Sequence, residues 1–124
     1  MKKKLISTIE LRKDELFNLL GDLVKINSEN FASSGNELEC AEFVRDYLTD
    51  IGVENLMYSP DDIKGIKEHP DYLAGRALEN RPNTTGIIRS KDSKRSLMLA
   101  GHSDTTPIGN ISAWSFSPLS GEVR

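Results

Sequence analysis

Apolar residues recur at three- and four-residue spacing through Leu16, Leu19, Leu20, Leu23 and Val24, and a polar stretch follows from Ser28 to Gly35. That period predicts an amphipathic helix. Ser7 and Glu10 stand at capping-box spacing and place its start, and its end falls near Asn27. A second box, Ser34-x-x-Glu37, opens the next helix, whose apolar face is Cys40 or Ala41, Val44, Leu48 and Ile51. Gly52 closes it, because glycine accepts the left-handed backbone that a helix end calls for. Val53 to Tyr58 then reads as a short strand. A helix, a glycine and a strand in succession make an αβ unit. The pattern therefore predicts an α/β fold, with helices packed on a mixed β-sheet.

The second half is less periodic. Residues Pro60 to Pro82 carry three prolines and two glycines among scattered charges. They read as a long surface excursion, with a helical turn near Asp61 to Lys67. Thr84 to Arg89 is a strand pattern, Lys91 to Arg95 a charged turn, and Leu97 to Ala100 a short apolar run that reads as a buried strand. The last two strands are expected to pair as a hairpin. From Thr105 onward Pro107, Gly109, Pro118 and Gly121 mark loops.

Composition narrows the class. The 124 residues are 37% hydrophobic and 28% charged, with a net charge of −3. This is the make-up of a soluble globular chain. Nucleic acid is not an expected partner, since it would call for a basic patch. No stretch approaches the roughly 18 apolar residues of a membrane span, and the basic Met1-Lys2-Lys3-Lys4 start lacks the apolar segment of an export signal. The single cysteine, Cys40, forms no internal disulfide and fits a reducing compartment. The cytoplasm is the expected location.

The candidate chemistry lies where the last apolar run ends, in Gly101-His102-Ser103-Asp104-Thr105. A strand ending in His-x-Asp delivers an imidazole and a carboxylate to one edge of a sheet, where open α/β folds bind their ligands. A carboxylate two positions on can accept one ring N–H, fixing the tautomer of a metal-ligating imidazole. It can equally orient a catalytic base, or simply bond a histidine in a turn. The other reactive side chains read as structural. His69 sits in a loop, Cys40 lies on the apolar face of a helix, and Ser103 lacks the Gly-x-Ser-x-Gly setting of a hydrolase nucleophile.

Larger blocks bear on the choice. The apolar run Leu97 to Ala100, the Gly101-His102-x-Asp104-x-x-Pro107 motif, Trp114, and Pro118-Leu119-Ser120-Gly121 follow one another in order. Upstream stand the helix end Leu23-Val24-Lys25-Ile26-Asn27-Ser28, the Gly35-x-Glu37 step, the helix end Ile51-Gly52 and an Arg81-Pro82-Asn83 turn. This order resembles the opening of the M20 family of metallopeptidases, which includes acetylornithine deacetylases, succinyl-diaminopimelate desuccinylases, aminoacylases and carboxypeptidase G. Leu119 departs from it, standing where phenylalanine is usual.

The resemblance implies the N-terminal portion, residues 1–124, of a catalytic domain that hydrolyses amide bonds in N-acyl amino acids or small peptides with two divalent metals. These would be zinc, with cobalt or manganese as substitutes. His102 would be a metal ligand, and Asp104 the residue in the catalytic role that orients its imidazole. Trp114 and the 107–118 loop would lie near the site entrance. The bridging aspartate, the glutamate pair with the general base, a further carboxylate and a distant histidine would belong to segments beyond Arg124, as would the lid or dimerisation domain. A small N-acylated amino acid or peptide would be the substrate, and a homo-oligomer is compatible with the family. Because zinc takes three or four protein ligands, this stretch by itself is expected to be inactive and to act, if at all, as a structural or interaction module.

Overall fold

The computed structural model describes all residues except 1, 32, 76, 92–94 and 124. Their contacts gather into two units, one made of Met1–Asn27 and Ile108–Arg124, the other of Ser28–Pro107.

The first unit holds two helices where the periodicity predicts one: α1 (Lys2–Leu11) and α2 (Lys13–Lys25). The expected capping box at Ser7 does not form. Helix α1 begins upstream of it, so the Ser7 hydroxyl sits inside the helix and donates to the Lys4 carbonyl at 3.0 Å. The break falls at Arg12, which caps α2 without a side-chain bond. The apolar stripe read from the sequence does belong to α2, where Asp14 and Glu15 in the first turn and Lys25 in the last complement the helix dipole. Gly21, the buried residue of α2, lets the Gly121 backbone approach: a Cβ at position 21 would stand 2.8 Å from the Gly121 carbonyl oxygen. Gly121 in turn has φ +65°, a conformation that glycine adopts without strain. Phe17, Leu20, Val24, Phe116 and Pro118 line a shallow cavity of about 120 Å³ beside this crossing.

The second unit is built on α3 (Glu37–Asp50), β1 (Glu54–Tyr58) and β2 (Asn83–Ile87). The second expected capping box is also absent. Helix α3 starts at Glu37 with Asn36, not Ser34, as its cap and no side-chain cap bond, and the Glu37 carboxylate turns inward. The C-terminal stop forms as expected: Gly52 takes φ +73°, its N–H reaches the Thr49 carbonyl, and the Val53 N–H returns to Leu48. This reversal sends β1 back along α3. Cys40 and Ala41, on the predicted apolar face, are buried. The Thr84 hydroxyl donates to the Ala41 carbonyl at 3.0 Å, and Gly86 admits Leu48 and Val53 against β2.

The sheet is smaller than predicted. It is a two-stranded antiparallel pair, with Glu54 opposite Ile87 and Tyr58 opposite Asn83. Among the described residues, the mixed sheet is reduced to this pair and two isolated bridges, a parallel one between Glu29 and Thr105 and an antiparallel one between Asn30 and Gly35. The expected hairpin between Thr84–Arg89 and Leu97–Ala100 is not formed; β2 pairs with β1 instead. Most of the charged turn expected between them lies outside the described residues. Leu97 to Ala100 is neither a strand nor buried: Leu97, Met98 and Leu99 are 83%, 85% and 87% exposed. Without a ladder partner the run has no apolar surface to pack on. The excursion between β1 and β2 carries two short 3₁₀ turns, Pro60–Asp62 and Ile66–Glu68, in the region where a helical turn is predicted. Among the described residues, no helix is long and apolar enough to cross a membrane.

Candidate functional site

His102 does not sit at the end of a sheet strand. The loop Ser28–Asn30 holds its segment instead. The Ser28 hydroxyl donates to the Ser103 carbonyl at 2.7 Å, the Thr105 N–H to the Ser28 carbonyl at 3.0 Å, and the Asn30 N–H to the Thr105 carbonyl at 2.8 Å. These bonds flank Asp104 on both sides. Ser28 is itself buried, so the loop that carries these donors and acceptors is fixed.

On this cradle the His102 and Asp104 side chains meet. The ring Nδ1 lies 3.1 Å from Asp104 Oδ1 and 3.0 Å from the Asp104 main-chain carbonyl. Both neighbours are oxygens that only accept, so Nδ1 is the donor, and in the neutral ring Nε2 carries the lone pair. The His102 side chain is 83% exposed, which leaves Nε2 open to solvent and to a ligand. The second carboxylate oxygen of Asp104 accepts from the Asn30 side-chain amide at 2.8 Å. That amide bond holds the Asp104 carboxyl below its ordinary range. Partial burial pushes the other way, and the neighbouring His102 lowers it further. Asp104 therefore stays ionised as the acceptor its histidine requires.

The donors decide whether these residues suit a metal ion. An imidazole with Nδ1 bonded to a carboxylate and Nε2 free is oriented as metal-ligating histidines are. Yet no group of three or more His, Cys, Asp or Glu side chains stands together among the described residues. The described residues place one such imidazole there, where zinc would take three or four protein ligands.

Other residues singled out in the sequence fall elsewhere. The Trp114 indole N–H donates to the Ile108 carbonyl at 3.1 Å, a loop bond within the first unit. His69 is an exposed loop residue whose Nδ1 accepts the Asp71 N–H at 3.2 Å. Cys40 is a buried free thiol. Two segments that carry the family resemblance do meet. The Arg81 guanidinium reaches Glu37 Oε1 at 2.7 and 2.8 Å, with both side chains about nine-tenths buried. The pair ties the start of α3 to the start of β2.

Sequence reasoning missed Asn30 and Ser28, which read only as parts of a polar loop. The available signal was an Asn-Ser-x-Asn run directly after a helix, a composition that favours side-chain bonds to nearby backbone. Comparison with protein-family models and with curated proteins found no match.

Proposed function

We propose that this chain carries the first metal motif of a metal-dependent amidohydrolase of the M20 type, with His102 as one ligand and Asp104 as its orienting carboxylate. The observation that carries the reading is the two-sided hold on Asp104, which leaves His102 Nε2 as the free nitrogen. The order of the matching blocks along the sequence adds support, as does the ion pair joining Gly35-x-Glu37 to Arg81-Pro82-Asn83. The substrate class is N-acyl amino acids or small peptides, and the metal is zinc or a similar divalent ion. With one such ligand among the described residues, the 124 residues by themselves are not expected to hydrolyse such amides. The remaining ligands and the general base come from other sequence.

The gene gives the test. Translation past codon 124 should continue into a glycine-rich segment bearing an aspartate, and then into a glutamate pair. The longer product should hydrolyse N-acetyl amino acids, lose the activity to a chelator, and lose it again on His102→Ala substitution. A reading frame that closes without those carboxylates would contradict the enzymatic reading. It would leave the chain as a structural or interaction module, the alternative that the short donor set favours.

A further inference from the structure

Asn30 is held on both sides by backbone. Its N–H donates to the Thr105 carbonyl at 2.8 Å, its residue bridges antiparallel to Gly35, and the preceding Glu29 bridges parallel to Thr105. Its side chain makes a separate contact. The amide spans from one segment to the other and donates to Asp104 Oδ2 at 2.8 Å. A carboxylate oxygen can only accept, so the amide must present its NH₂ end. Asp104 is then fixed by one oxygen while the other faces His102 Nδ1 at 3.1 Å.

We infer that Asn30 is a positioning residue: through Asp104 it holds His102 as the Nδ1–H tautomer and so leaves Nε2 as the open nitrogen. The inference rests on the proposed reading of His102 as a metal ligand, and it extends the site to a residue 72 positions upstream in the sequence. Charge-assisted bonds from an anchored donor outlast those of a free side chain, because the donor has already lost its mobility. Freed from Asn30, the carboxylate can rotate away, and the exposed imidazole then distributes its proton between both nitrogens.

The two histidines of the chain make the test internally controlled. At His69, Nδ1 accepts a backbone N–H, so that ring carries its proton on Nε2. At His102 the proton is on Nδ1. Long-range proton–nitrogen spectra of histidine-labelled protein, taken where both rings are neutral, should show opposite tautomers. Asn30→Ala removes the donor. Asn30→Asp keeps the size and shape but replaces the donor with an acceptor. Both should lower the Nδ1–H to Nε2–H ratio of His102 about fivefold and leave His69 unchanged, with the circular dichroism and melting temperature of the chain preserved. An unchanged His102 ratio in both variants would overturn the inference.

The unaltered chain offers a second measurement should a variant fail to fold. The Asn30 side-chain amide protons should exchange with solvent more slowly than those of Asn110, whose side-chain oxygen accepts from Ser112. Exchange as fast as that of Asn110 would also overturn the inference. Added Zn²⁺ separates this proposal from the reading beneath it. A tautomer ratio that depends on Asn30, with His102 blind to zinc, sinks the metal reading and keeps the positioning role. A zinc response equal in all variants, with a constant tautomer, does the reverse.

Discussion

Glu37 and Arg81 show what a single buried contact contributes. Both guanidinium contacts fall on Glu37 Oε1, while Oε2 is buried with no hydrogen-bond partner among the described residues. Removing Arg81 strands a charge away from water. The Arg81→Ala variant should lose about 3–5 kcal/mol in urea unfolding, whereas replacing both partners by leucine should cost far less. A small loss for the single variant would mean that Glu37 finds water or another cation. The exposed pair Glu54–Arg89 behaves differently. The Arg89 guanidinium bonds to the Glu54 carboxylate, and that bond, followed by its charge, holds the carboxyl below the ordinary glutamate range. Its contribution is therefore complete above the ordinary glutamate value and is lost as the pH falls through the depressed one. Both side chains are well exposed, so the effect is small and screened by salt. Melting curves of wild type and Glu54→Gln should differ slightly near neutrality and converge on acidification.

At the scale of elements, local signals were legible wherever the backbone alone decides. Gly52 ended α3 as read, and strands formed at 54–58 and 83–87, close to the expected 53–58 and, with an earlier end, 84–89. Signals that depend on distant partners were not. The box at Ser34 and Glu37 reads as a cap, but Glu37 is claimed by Arg81, which no local pattern announces. The pairing of β2 with β1 skips a long excursion, while a short turn to Leu97–Ala100 looked the nearer choice. His102 and Asp104 were legible as a pair; the loop that supports them was not, since its role comes from contacts some 75 residues away in sequence. Two elements give predictions. Gly21→Ala places a methyl against the Gly121 carbonyl and should destabilise the first unit by about 1–3 kcal/mol in thermal or urea unfolding. The exposed run Leu97-Met98-Leu99 offers an apolar edge to a second chain. The 124-residue protein should self-associate with rising concentration in sedimentation velocity, and Met98→Lys should shift it towards monomer. A wild-type chain that stays monomeric throughout would count against that edge.

For the whole molecule, the central point is a mismatch between preparation and supply. One imidazole is oriented by a carboxylate, and that carboxylate by an anchored amide, yet no group of three or more His, Cys, Asp or Glu side chains stands together among the described residues. The most direct test is a Zn²⁺ titration of the chain followed by histidine proton–nitrogen spectra. The account predicts that His102 Nε2 responds first, in weak and rapidly exchanging fashion, that His69 lags behind it, and that Asp104→Ala removes the difference. Equal responses from the two histidines, or a response at His69 alone, would contradict it.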